Sequence, residues 1–212
     1  MNLRQTQKEA TRRRVLDAAR ELFETVGYDE TTVREIATRA GVAVGSVFTS
    51  FAGKAEVLSQ VMADRLEALY GELERVLPHL RGSTADRLTS IFALHYDFET
   101  RRTQLFLAHI AAAFNWRPGS PATPYGRNPR LRAMIRDCIE EGRRRGDVDA
   151  QADIDLAVDT LMAAYAWNYR LAAWEGASAE QMSALMERQI TLITAGLAPG
   201  AVSWRSPEDA GR

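Results

Sequence analysis

The chain has 212 residues, 46% hydrophobic and 26% charged, with a net charge of −1. This suits a globular protein with one sizeable core and a small appended module. It excludes a surface coated in positive charge, so any nucleic-acid contact rests on a local patch, and the single cysteine, Cys138, excludes an intrachain disulfide.

The N-terminus supplies such a patch: Arg4, Lys8, Arg12, Arg13 and Arg14 are offset only by Glu9. The same opening, "MNLRQTQKEATRRR", has no apolar h-region, so no secretory signal fits and the expected location is cytoplasmic. Apolar positions then recur at helical spacing almost throughout, which predicts an all-α fold. Val15, Leu16, Ala19, Leu22, Phe23 and Val26 form the stripe of a first helix ended by Gly27. Thr32 and Glu35 make a capping box that opens a short helix with Val33, Ile36, Ala37 and Ala40 as its core face, stopped by Gly41. Another short helix is predicted over about 44 to 50, and a long one from Gly53 to about Leu77 with Val57, Leu58, Val61, Leu69, Leu73 and Val76 inward.

Beyond Pro78 the apolar side chains become larger. Leu88, Ile91, Phe92, His95 and Phe98 define one helix; Phe106, His109, Ile110, Ala113 and Phe114 define another. "RPGSPATPYGRN" reads as a loop, after which Asn128 and Pro129 start a helix striped by Leu131, Met134, Ile135, Cys138 and Ile139 and ended by Gly146. Arg143, Arg144 and Arg145 fall in its last turn, where cations complement the helix dipole. "IDLAVDTLMAAYAWNYRLAAW" is the most apolar stretch, yet Asp155, Asp159, Asn168 and Arg170 mark it as a buried helix rather than a membrane span. Ser178 and Gln181 cap the final helix, with Met182, Leu185, Met186, Ile190, Ile193 and Leu197 at core spacing. The expected division is a first domain over 1–53, a helical second domain over 54–200 and a flexible tail over 201–212.

The first three helices carry the clearest pattern: a capped helix, a glycine turn and a second short helix make a helix-turn-helix. Val42, Val47 and Phe51 can point into the three-helix core, leaving Val44, Gly45, Ser46, Phe48, Thr49 and Ser50 outward. Small side chains there let a backbone approach a DNA groove. "TTVREIATRAGVAVGSVFTSFAGKAEVL" resembles the signature of the TetR family of tetracycline-repressor-like transcriptional regulators. The resemblance implies DNA contacts from Thr32, Arg34, Ala43, Val44, Gly45, Ser46, Phe48, Thr49, Ser50 and Lys54. In it, Thr32 and Lys54 bind phosphates at helix starts, and Val44 suits a thymine methyl. Ser46 and Phe48 stand where the family has Thr and Tyr, so Phe48 lacks a hydroxyl. Ala43 and Val44 replace the family's frequent Ser-Lys pair.

The resemblance also implies a second domain that binds a small molecule and forms a homodimer on a near-palindromic operator, with recognition helices about 34 Å apart. An apolar cavity with few polar groups suits a lipophilic ligand. Candidate lining residues are Phe92, His95, Phe98, Phe106, His109, Phe114, Trp116, Met134, Cys138, Tyr165 and Asn168. Candidate dimer contacts are Trp167, Leu171, Trp174, Leu185, Gln189 and Leu192. His79, His95 and His109 show no metal-ligand spacing and no catalytic set emerges, so neither enzyme activity nor a metal or cofactor is expected. The expected function is a repressor released from its operator by a small lipophilic molecule. The alternative is a DNA-binding regulator of the same fold controlled by a protein partner or by no effector.

Overall fold

A computed structural model describes residues 3–113 and 129–201. It is all-α, and no strand occurs among the described residues. The helices, numbered in chain order, are α1 (Leu3–Thr25), α2 (Val33–Ala40), α3 (Val44–Ser50), α4 (Lys54–Val76), α5 (Thr84–Thr100), α6 (Thr103–Ala113), α7 (Pro129–Arg145), α8 (Ile154–Glu175) and α9 (Ala179–Leu197). A 3-10 turn, Leu77–His79, follows α4. Phe114 and Trp116 lie outside the described residues.

Packing divides the chain into two units, with the boundary inside α4 between Leu69 and Tyr70. The first contains α1, α2, α3, the start of α4, and α6. Val15, Phe23, Ile36, Val47, Phe51 and Val61 are among its buried residues. Local chemistry delimits α2: Glu35 N–H donates to Thr32 Oγ1 at 3.2 Å and Thr32 N–H returns a bond to Glu35 Oε2 at 2.7 Å. At its other end Gly41 adopts φ 64°, which a Cβ would oppose. Ion pairs Arg39–Glu21 and Arg102–Glu24 fasten α2 and the turn before α6 to α1. Val26, expected on the α1 stripe, is exposed because the helix ends at Thr25 and the chain turns away through Gly27.

The second unit contains the end of α4, α5, α7, α8 and α9, with α5 and α8 both packed on α9 and α7 packed on α5 and α8. Buried Leu88, Ile135, Ile139, Leu161, Met182 and Ile190 contribute to its core. The three arginines ending α7 do more than complement a dipole. Arg143 donates to the Ala152 carbonyl at 2.7 Å, Arg144 pairs with Glu141 at 2.5 Å, and Arg145 reaches Thr84 Oγ1 at 3.1 Å. Asp147 accepts the Thr84 N–H at 2.7 Å, so a residue far along the chain caps α5. Close approach here requires Gly142, where a Cβ would stand 2.9 Å from Val148 Cγ2 and closer still to Thr84 Oγ1.

Candidate nucleic-acid interface and sensor core

The short helix α3 is anchored from beneath and bare above. Val47 and Phe51 are buried, and the Arg12 guanidinium lies 5.0 Å from the Phe51 ring centroid while donating to Gln60 Oε1 at 2.7 Å. One arginine of the basic arm therefore seats α3 and α4, whereas Lys8, Arg13 and Arg14 are exposed. On the outer side Val44 is 38% and Phe48 54% exposed, with Gly45 and Thr49 also exposed and Ser46 and Ser50 half-buried. Ala43 caps α3 without a side-chain bond. Thr49 Oγ1 donates to the Gly45 carbonyl at 2.9 Å, which leaves the hydroxyl an acceptor toward solvent. A Cβ built on Gly45 meets nothing within 4 Å, so the chain's own packing does not demand glycine there.

The two expected phosphate ligands are engaged by the protein itself. Thr32 Oγ1 donates to Glu35 Oε2 at 2.8 Å, and the bonds from the Thr32 backbone and hydroxyl hold the Glu35 carboxyl below its usual range. Lys54 Nζ donates to the carbonyls of Tyr28 at 2.7 Å and Asp29 at 3.2 Å, above the Tyr28 ring. Its charge seats the turn between α1 and α2, a role the spacing did not reveal because the partner lies outside the motif. Arg34 is exposed on α2.

The second unit encloses a polar chain within an aromatic core. His95 Nδ1 lies 3.1 Å from Tyr165 Oη; Tyr169 Oη donates to Tyr165 Oη at 2.9 Å. Tyr96 Oη donates to the Tyr165 carbonyl, and Asn168 Nδ2 donates to Tyr96 Oη at 3.1 Å and Gln189 Oε1 at 2.7 Å. Burial pushes His95 down to about 3 and raises the Tyr165 hydroxyl, so both are neutral at physiological pH. A separate cleft of about 440 Å³ has Leu77, Pro78, Leu80, Met134 and Cys138 on its apolar side, with Glu74, Arg87, Arg130, Asp137 and Glu141 among its charged residues. Arg130 pairs with Glu74 at 2.6 Å and stacks on Tyr70. Burial raises the Cys138 thiol to about 11, which leaves little nucleophilic thiolate.

The sequence model described as "Bacterial regulatory proteins, tetR family" matches residues 15–61, the segment that contains α2, α3 and the Lys54 turn. The HTH-type transcriptional repressor KstR2 of Mycolicibacterium smegmatis is 28% identical over 76% of this chain and 81% of its own length. The HTH-type transcriptional regulator SrpR of Pseudomonas putida is 46% identical over 29% of each chain. Residues 15–61 therefore carry the segment that defines the tetR family of regulatory proteins. Among solved structures, the TetR-family repressor FadR of Thermus thermophilus, in complex with lauroyl-CoA, superposes with TM-score 0.72 and 25% identity over 92% of this chain and 97% of FadR.

The residues expected around a ligand fall in different parts of the structure. Phe92, His95, Tyr165 and Asn168 meet in the polar-aromatic core, and Phe98 lies half-buried on α5. Met134 and Cys138 face the separate cleft. Phe106 and His109 belong to the first unit, where burial lowers His109 to about 4. Tyr96 and Tyr169 were not singled out from sequence, although Tyr169 follows Tyr165 at the one-turn spacing that brings their hydroxyls together. Of the expected dimer contacts, Trp167, Trp174 and Leu192 are exposed and Leu171, Leu185 and Gln189 half-buried. Gln189 turns its amide inward to Asn168. No described helix is long and apolar enough to cross a membrane.

Proposed function

We propose that this TetR-family protein is a dimeric repressor that releases its operator when its second unit takes up a lipophilic acyl thioester. The observation carrying the DNA reading is the outer face of α3, which exposes Val44, Gly45, Phe48 and Thr49 over buried Val47 and Phe51. Such a face has no charged side chain and suits major-groove contact with thymine methyls and base-edge donors. Lys8, Arg13, Arg14 and Arg34 supply the accompanying phosphate attraction.

Dimerisation is supported by α8 and α9. Leu156, Trp167 and Trp174 on α8 and Leu192 on α9 are large apolar side chains left in water. A monomer rarely exposes such a stripe, and an isologous helix pair from a second copy would cover it. The effector class is supported by Thermus thermophilus FadR, whose bound lauroyl-CoA joins an apolar chain to a thioester. The neutral, aromatic core around His95 and Tyr165 suits the apolar part of such a molecule.

Genomic fragments retained by the purified protein would supply the operator for band-shift titration with lauroyl-CoA, coenzyme A and laurate. Release by lauroyl-CoA alone is the expected result. Retention of the operator through a series of short to long acyl-CoAs would overturn the effector class, and failure to enrich any discrete fragment would overturn the operator reading.

A further inference from the structure

One buried polar atom in the second unit is unmatched among the described residues. His95 is buried, and its Nε2 has no hydrogen-bond partner among the described residues. The bonds around the ring decide what that atom offers. Tyr169 Oη donates to Tyr165 Oη, which leaves the Tyr165 proton available for His95 Nδ1, 3.1 Å away. With Tyr165 as the donor, a neutral imidazole carries its single N–H on Nε2. An unmatched buried donor is costly, and the cost is recovered when an acceptor arrives.

The surroundings restrict that acceptor. The rings of Tyr70 from α4 and Tyr165 from α8 lie against the imidazole, and Phe92 and Tyr96 from α5 and Tyr169 from α8 pack in turn on Tyr165. Glu99, buried and one helical turn beyond His95 on α5, places an acidic group nearby. A carboxylate brought to this position would share a buried site with a second carboxyl group, which disfavours its charged form, whereas a neutral carbonyl oxygen carries no charge to bury.

We propose that His95 is the specificity residue of the effector site, donating from Nε2–H to the neutral carbonyl oxygen of an acyl thioester. This rests on the effector class inferred above. The thioester therefore sits against α5, with the acyl chain among the aromatic rings, and a thioether of equal length binds less well because it leaves the donor unmatched.

The test compares lauroyl-CoA with S-dodecyl-CoA, which lacks the carbonyl, as agents of operator release. For the wild-type protein the thioether should require about tenfold more ligand or above. His95→Phe should abolish that ratio, and His95→Gln, which keeps an N–H donor, should retain part of it. Equal potency of the two ligands on the wild type would overturn the role of His95 while leaving the acyl-CoA reading intact. Release by neither would overturn both. A measurement that needs no variant is the side-chain ¹⁵N spectrum of the full-length protein. His95 should be in the Nε2–H form, with that proton shifted downfield by lauroyl-CoA and not by S-dodecyl-CoA. An Nδ1–H form, or identical spectra with both ligands, would overturn the proposal.

Discussion

The Lys54 ammonium donates to the Tyr28 carbonyl at 2.7 Å and stands 4.2 Å from the centroid of the same residue's ring. A charge used in this way stiffens the entry to α2 from a site at the start of α4. Lys54→Ala should therefore lower the stability of the DNA-binding unit by about 1–2 kcal/mol and weaken operator binding through it. The salt dependence of operator affinity separates this role from direct phosphate contact. An unchanged slope of log affinity against log salt is expected; a slope reduced by about 0.9 would assign Lys54 to a phosphate.

Gly45 leaves open space where a Cβ would stand. Gly45→Ala should raise thermal stability, by up to about 1 kcal/mol, because alanine is the better helix former. Operator affinity should fall at the same time, since the added methyl separates α3 from the groove. A variant more stable and equally tight on DNA would show that α3 does not approach the duplex through this face.

Gly142 is the opposite case, its missing Cβ being occupied by Thr84 and Val148. The Thr84 hydroxyl is itself held by Asp147 and Arg145, so it cannot retreat cheaply. Gly142→Ala should destabilise the second unit by about 1–3 kcal/mol, measured by urea unfolding. Unaltered stability would mean that the α5–α7 contact is softer than the hydrogen bonds indicate.

The histidines make stability depend on pH. Burial depresses His95 to about 3 and His109 to about 4, from a usual value of 6.5. The unfolded chain binds more protons than the folded one between those limits, so stability is fully present above pH 6.5 and falls as pH drops toward the folded values. One such group contributes at most about 1.4 kcal/mol per pH unit. His95→Gln should flatten the unfolding free energy measured between pH 6.5 and 4. A profile as steep as that of the wild type would place the protonation elsewhere.

Leu192 is 77% exposed on α9, so replacing it removes little from the core of its own unit. Leu192→Arg should yield folded monomers by analytical ultracentrifugation, with weakened operator binding, because two like charges would meet across an isologous interface. Intact dimers of this variant would move the interface off the α8–α9 face.

Features written in short spans of chain were legible from sequence. Thr32 with Glu35, Gly41, and Ser178 with Gln181 are bonded as their spacing implied, because a cap is completed within three or four residues of itself. The α3 segment also met its expectation: Val47 and Phe51 are buried, whereas Val44 and Phe48 are exposed.

The effector side depended on distant partners. Periodicity placed His95, Phe106, His109, Met134 and Cys138 on apolar stripes alike, yet a stripe states which face is covered and not what covers it. Tertiary packing put His95 against Tyr165, turned Met134 and Cys138 toward a separate cleft, and assigned Phe106 and His109 to the first unit. The same limit explains Lys54, whose motif position pointed to DNA while a carbonyl 26 residues earlier claimed its ammonium. The helical class, the helix-turn-helix and its capped ends follow from interactions spanning a turn or two. The use made of each buried polar group follows from which helices meet, because a donor is matched only by atoms that the completed fold brings within about 3 Å.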